Sequence, residues 1–423
     1  MFLKVLIKFK KVVYLASVQT NSGYQKKAFS AAAGGMGLQS MSTMLLSFVL
    51  ASMIVDFGIN KTAGGFISTI TNLGMLAGGI LFGTTADKYG RAKVLSVTVA
   101  IFSIATAGIG FVNSIGAVYA LRFFVGLGGG GMYGVVMSLV SDAYSAKVRG
   151  RVTSWVTISG QIGAVVAAIA AALIVPHLGW RGLFFFGGLP IFFAIWAWLA
   201  LPESDTWKKA RENVSQESAG EKISIAELFR HGRASVTLRL MLMATIQVAG
   251  YFGLMNWLPS IIQGQANVKV SGSSIWMIAT IFGMILGMLL FGQFMDRIGP
   301  KFAYGTFLLA SAAAVFLYSF AASPATILIG GAIVGFFANG MNAGYGAIVG
   351  NLYPTHIRAT ANNIIFNIGR AIGGFSSVAI GFFLDNYSLM VAMLFLSALY
   401  IISFITVTTL KVGRPGDQID EVK

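Results

Sequence analysis

Apolar residues run along this chain in stretches of about twenty, the length that carries an α-helix across a ~30 Å hydrocarbon layer. Short polar and mostly basic segments separate them. Twelve stretches can be counted, at approximately 30–54, 62–83, 94–112, 115–139, 152–174, 182–201, 236–262, 274–294, 302–321, 325–349, 361–384 and 388–410. This pattern predicts an all-α membrane protein with twelve transmembrane helices. The breaks divide the chain into a basic amino-terminal segment (1–27), six spans (28–201), a linker (202–235), six further spans (236–410) and a tail (411–423). Between 202 and 233 the linker holds six acids and six Lys/Arg with no apolar run, so it is expected to be partly helical and to form no domain of its own. Residues 1–27 alternate Lys with Phe, Leu, Ile and Val and carry no acid, the pattern of a helix lying at a membrane surface.

The two sets of six spans are copies. Gly74–Lys93 reappears, altered but aligned, from Gly283: Gly74 falls on Gly283, Gly78 on Gly287, Phe82 on Phe291, Asp87 on Asp296 and Gly90 on Gly299. The same offset of 209 carries Gly126 onto Gly335, Met132 onto Met341, Tyr144 onto Tyr353 and Arg149 onto Arg358. A constant offset over about ninety residues marks a duplicated half, which predicts two pseudo-symmetric six-helix bundles.

Composition agrees: 56% of the residues are hydrophobic and only 10% charged, more apolar surface than a soluble fold can hide. The net charge of +16 suggests nucleic acid until the cations are placed. With the amino terminus in the cytoplasm, 25 of the 30 Lys/Arg fall in inside segments, and only Lys61, Arg181 and Lys269 in outside loops. That bias predicts a multi-pass protein of the cytoplasmic membrane with both termini inside. Its basicity then needs no nucleic-acid partner. There is no cysteine, and no nucleophile–base pair, metal-spaced cluster or phosphate loop lies in the spans, so no enzyme activity, metal or cofactor is expected.

The polar residues inside the spans carry the candidate chemistry. Gln39, Thr43 and Ser47 form one stripe in the first span. Arg122 opens a glycine-rich fourth span, and an arginine at such a depth costs at least about 2.5 kcal/mol, so it faces protein or water for a reason. Gln247 and Tyr251 lie a turn apart in the seventh span; Asn339 and Asn342 are three apart in the tenth. Asn363, Asn367 and Arg370 stand at i, i+4, i+7 in the eleventh, a cation flanked by amides, which is what a carboxylate needs for charge-assisted hydrogen bonds. The 209 offset pairs Arg370 with Gln161. All 14 acids fall in loops, linker, tail or span ends; two buried cations against no buried acid favour an anionic ligand. Asp56 and Lys61, in the first outer turn, read as solvated charges. Two carboxylates, Asp87 near Arg91 and Arg149, and Asp296 near Arg358, sit where helix ends meet and are expected to act as cytoplasmic gates.

The twelve spans, the duplication and Gly83-x-x-x-Asp87-Lys88-Tyr89-Gly90-Arg91 with its echo at Gly292–Lys301 resemble the major facilitator superfamily over essentially residues 28–410. The resemblance implies two bundles related by an axis along the membrane normal and a central site reached alternately from either side. Arg122-x-x-x-Gly126 is similar to the superfamily's fourth-helix motif, often linked to proton coupling in symporters. The fifth span lacks the Gly-Pro pair typical of its drug antiporters. Gly179-Trp180-Arg181, Gly187-Gly188-Leu189-Pro190, Trp257-Leu258-Pro259 and Asn367-Ile368-Gly369-Arg370 look most like the organic-acid proton symporters, the aromatic-acid and sialate/lactate groups. The aromatic-acid group usually carries Asp-Gly-x-Asp in its first helix, whereas this chain reads Gly34-Gly35-Met36-Gly37-Leu38-Gln39-Ser40 and so lacks the usual proton acceptor.

These readings converge on a monomeric secondary transporter of a small organic anion. Arg370, Asn367, Asn363 and Arg122 are expected to bind the carboxylate, and Gln39, Gln161, Gln247, Tyr251, Asn339 and Asn342 to line the cavity. A cotransported proton is expected, travelling with the substrate or through Asp142 at the rim; transport without a proton stays open. A carrier of neutral sugars or polyols, using the amides and leaving the arginines structural, is the alternative, with drug export behind it.

Overall fold

The computed structural model describes residues 22–204, 225–230, 233–353 and 355–410. The described residues form helices: α1 (Ser22–Asp56), α2 (Lys61–Tyr89), α3 (Arg91–Ile109), α4 (Ile115–Ala143), α5 (Ala146–Phe186), α6 (Pro190–Ala200), α7 (Ala234–Ala266), α8 (Val270–Ile298) and α9 (Pro300–Tyr318). The tenth, α10, is composite: Pro324–Val334 continues through a π segment, Gly335–Asn339, and a 3-10 turn, Met341–Gly344, into Tyr345–Leu352. Thr355–Gly373 and Ser376–Asn386 together make α11, and Leu389–Thr409 is α12. Within the linker, Ile225–Leu228 is a 3-10 turn.

Ten described helices are long and apolar enough to cross a membrane. One of these runs is 49 residues, 152–200, enough for two crossings. It is broken at Gly179, whose φ of 64° only glycine adopts without strain. Pro324–Asn339 is a shorter apolar helix. Counting the long run twice and adding α10 accounts for the twelve spans. The boundary expected between 174 and 182 falls at the Gly179 kink, and a further break at 187–189 precedes α6. The first helix begins at Ser22, so that Lys26 and Lys27 lie in it, exposed. Residues 1–21 and 411–423, where the surface segment and tail were expected, lie outside the described residues.

Local sequence sets the helix ends. Asn60, Ser114 and Ser388 accept from the backbone N–H three residues on, and Ser323 forms a capping box with Thr326. Pro190, Pro300 and Pro324 open their helices, where a missing N–H costs nothing.

Glycines then decide which helices touch. A Cβ added at Gly74 would overlap the carbonyl oxygen of Phe123, and one at Gly78 that of Leu127, so α2 lies backbone to backbone on α4. In the other half Gly283 meets the carbonyl of Ala332 and Gly287 that of Phe336, so α8 lies on α10 in the same way. Both partner pairs also differ by 209: the repeat has kept the contacts as well as the residues.

Between the bundles, α2 packs along α11, α5 along α8, and α1 against α7. We call the membrane face at the α2–α3 and α8–α9 turns the linker side, and the opposite face the far side. On the far side the bundles are shut. Asp385 accepts hydrogen bonds from the N–H groups of Lys61 (3.0 Å) and Thr62 (2.8 Å) and from Thr62 Oγ1 (2.7 Å), while Lys61 Nζ donates to the Leu384 carbonyl. The expectation that Lys61 is simply solvated therefore fails: Asp385 caps α2 across the bundle boundary. Asp56 is engaged as well, accepting from Trp180 Nε1 and Arg181. Deeper in, Thr69 Oγ1 donates to the Gly374 carbonyl. Ser47 donates to Asn256 Oδ1 at 3.3 Å, and Asn256 Nδ2 donates to Ser68. Ser47 and Asn256 are themselves repeat mates, 209 apart, so the pseudo-twofold axis passes beside this hydrogen bond.

Candidate functional site

Helix registers bring one polar layer to the middle of the molecule. Gln39 is the central residue of α1, Met75 of α2 and Gly129 of α4; Tyr251 is one residue past the centre of α7, and Arg370 lies at the middle of α11. Below the Ser47–Asn256–Ser68 roof, Met75 packs with Val248 and Phe252 across the bundle boundary, and Tyr251 lies against them. The next layer holds the cation. Arg370 is partly exposed, with its guanidinium carbon 4.9 Å from the Phe366 ring centre. Tyr251 stands edge-on to Phe252, ring centres 5.1 Å apart.

Glycines again make the approach possible. A Cβ at Gly79 of α2 would lie 3.3 Å from Asn367 Oδ1 on α11 and 3.6 Å from the Gly130 carbonyl on α4. A Cβ at Gly129 would lie 3.2 Å from Gln39 Nε2. The glycine run at 128–131 thus lets α1, α2 and α3 close around α4 at this depth, while Gly79 lets α11 approach α2. The result is a partly solvated guanidinium in an aromatic and thioether surround, with amide and phenol groups at its edge and no carboxylate beside it among the described residues. A guanidinium in such a surround can offer charge-assisted hydrogen bonds to a planar anion.

The other expected site residues divide by exposure. Asn342 is partly buried on α10. Gln247 is buried and donates from Nε2 to the Ala338 carbonyl at 2.8 Å, a group in the π segment where the regular ladder is interrupted. Asn339 has no exposed surface, and neither of its amide atoms finds a partner among the described residues. Gln161 is buried with Oε1 unpartnered. Arg122 is 0% exposed, its guanidinium 5.1 Å from the Phe184 ring and its three nitrogens without hydrogen-bond partners among the described residues. With no exposed surface, Arg122 and Asn339 line no cavity in this state. Arg122 shares with Gly126 and Gly130 the stripe at i, i+4, i+8 that α4 turns toward its own bundle, where the two glycines meet Thr71 and Met75.

On the linker side, Arg91 pairs with Asp142, and Ser204 Oγ donates to the same carboxylate oxygen at 2.6 Å. Glu203 caps α3, accepting from the N–H groups of Ala92 and Lys93. Asp296 is exposed. The side chains of Asp87, Arg149, Arg358 and Asn363 lie outside the described residues.

Sequence reading did not single out Tyr133, which is 46% exposed near the middle of α4; it follows a glycine run that reads as packing, although the 209 offset pairs it with Asn342, a residue that reading did select.

The model of the Major Facilitator Superfamily matches residues 32–286 and 263–421. A metabolite transport protein of Haemophilus influenzae, so named without a specific substrate, is 34% identical over 402 residues, covering 94% of this chain and 99% of that protein. A cis,cis-muconate transport protein of Acinetobacter baylyi is 30% identical, covering 85% and 87%. Among solved structures, a D-xylose–proton symporter superposes with a TM-score of 0.78 over 92% of this chain and 98% of its own; at 16% identity this likeness concerns the fold.

Proposed function

The chain belongs to the Major Facilitator Superfamily, and from that premise, which makes it a multi-pass membrane transporter, we propose that it carries a small organic anion by alternating access. The observation that carries this reading is Arg370: a partly exposed guanidinium at mid-depth between two bundles, walled by Phe366, Tyr251, Phe252 and Met75. A guanidinium held there without a nearby carboxylate is a standing anion site. Asn367, Asn363, Gln39 and Asn342 supply polar contacts around the anion, and the aromatic wall favours a flat or unsaturated body. The naming of a relative for muconate transport supports an organic acid as cargo. Arg122, Gln161, Gln247 and Asn339, buried within the bundles, hold helix geometry in this state.

The charge bias argues for the linker side as cytoplasmic, so that the state described is the one closed to the outside. Asp87 with Arg149, and Asp296 with Arg358, act as the gates of the linker side. Uptake of an anion into a negative-inside cell is uphill by ~2.3 kcal/mol per charge per 100 mV. A cotransported proton offsets that cost, and Asp142, held by Arg91 and Ser204, is the carboxylate we assign to exchange it.

The test is uptake into proteoliposomes of labelled benzoate, muconate and xylose, with and without an inward proton gradient. Proton-stimulated carboxylate uptake that is lost in Arg370→Gln supports the reading. Xylose uptake, or carboxylate uptake indifferent to Arg370, refutes it.

A further inference from the structure

Arg370 is held by a ring. Among the described residues no hydrogen bond or ion pair reaches its guanidinium, whose carbon lies 4.9 Å from the Phe366 ring centre. Resting on the anion-transport reading, we propose that Phe366 is a positioning residue of the anion site: its ring fixes where the guanidinium stands without taking any of its N–H groups, so that all of them are offered, already in place, to the carboxylate of the cargo.

Helix geometry accounts for the contact. Side chains of an α-helix lean back toward its amino terminus, over the turn before. Arg370 therefore reaches back over Phe366, four positions earlier in α11, and so toward the linker side, away from the closed far side. The Phe366 ring is held in its turn. Tyr345, which opens the last segment of α10, is 3% exposed and lies beside it, ring centres 6.2 Å apart and inclined at 59°, while its hydroxyl donates to the Leu240 carbonyl of α7. Three helices of the carboxy-terminal bundle thus meet at one ring. The other bundle has no such arrangement at the matching positions, since the 209 offset pairs Phe366 with Thr157 and Tyr345 with Val136.

The chemistry follows from what a ring lacks. Its π electrons attract a cation, but it presents no lone pair, so none of the five guanidinium donors is spent on it. A protein carboxylate in that place would occupy the donors and exclude the cargo. A guanidinium with no support would have to be ordered by each anion that binds, which weakens binding about two- to tenfold for one such side chain. Arg122 shows the contact without the site: its guanidinium carbon lies 5.1 Å from the Phe184 ring centre, but it has no exposed surface, so no cargo reaches it in this state. Arg370 and Phe366 are both partly exposed.

The experiment compares Phe366→Leu, Phe366→Met, Phe366→Tyr and Phe382→Leu with the parent protein in proteoliposomes, with thermal melting to establish folding. Labelled benzoate is the transported probe, and cyclohexanecarboxylate, an acid of similar size with no π face, is the competitor. Phe366→Leu and Phe366→Met fill the space without a π face; they raise the benzoate KM and the cyclohexanecarboxylate inhibition constant together, each about fivefold, and leave kcat within about twofold. Phe366→Tyr restores the ring and recovers most of that affinity. Phe382→Leu, which removes a 45% exposed ring near the far end of α11, changes neither constant. A loss confined to benzoate, or a parent indifferent to cyclohexanecarboxylate, assigns Phe366 to the ring of the cargo instead and overturns the proposal. Unchanged constants in the leucine and methionine variants, with uptake still lost in Arg370→Gln, overturn it and leave the transporter reading intact. Absence of carboxylate uptake by the parent protein overturns both.

Discussion

Arg122 illustrates how residue type and residue environment part company. In sequence it is a second membrane-buried cation and therefore a plausible partner for an anion. In the fold it has no exposed surface, a phenyl ring beneath it and three nitrogens without hydrogen-bond partners among the described residues. Each buried donor left unpaired costs about 1–3 kcal/mol, only part of which a cation–π contact offsets. Arg122→Met, similar in length and apolar, is therefore expected to melt no lower than the parent and to keep its carboxylate KM within about twofold. A drop in melting temperature of several degrees in detergent, or a tenfold change in KM, would contradict this placement. Arg370 is the contrasting case: it has the same charge but is partly exposed, and Arg370→Gln is expected to abolish carboxylate uptake.

At the scale of elements, glycine positions separate contact from free surface. Gly78 has no room for even a methyl group against the Leu127 backbone, and α2 cannot move off α4 without opening the bundle. Gly83, five residues on in the same helix, has open space around its missing Cβ. Gly78→Val is expected to prevent accumulation of folded protein. Gly83→Ala is expected to be tolerated and to gain about 0.5–1 kcal/mol of helix propensity, seen as a small rise in melting temperature. Equal damage from both changes would mean that the α2–α4 contact is not what fixes the bundle. The irregular α10 belongs to this scale as well: its π segment leaves the Ala338 carbonyl to be met by Gln247, which ties α10 to α7 through a side chain rather than a backbone ladder.

For the whole molecule the question is which side is open. The far side is closed by a few exposed hydrogen bonds at Asp385 and by close α2–α11 packing at Gly65, Gly374 and Gly381. A helix cap of this kind contributes about 1 kcal/mol, so Asp385→Ala is expected to raise the population open to the far side about fivefold. The chain has no cysteine, which makes the measurement clean. A single cysteine at Ser68, beneath the closure, should react correspondingly faster with a membrane-impermeant thiol reagent applied from that side. Unchanged labelling would show that packing alone holds the closure.

Hydropathy, loop charge and the 209-residue repeat by themselves determined the twelve-helix, two-bundle architecture and the membrane setting, because span length and period are local properties that the bilayer enforces one helix at a time. The structure extended the repeat to contacts, Gly74 on Phe123 and Gly283 on Ala332. The i, i+4, i+7 stripe likewise singled out Arg370, since a cation in a span is costly wherever it sits. Rotation of each helix about its own axis, which decides whether a polar residue faces cavity, neighbour or bundle interior, was not determined. The tertiary structure turned Arg122 and Gln247 inward and set Lys61 and Asp385 against each other across 324 positions. Those outcomes depend on which backbones the glycines let approach, and that is a property of the assembled bundles and not of any one span.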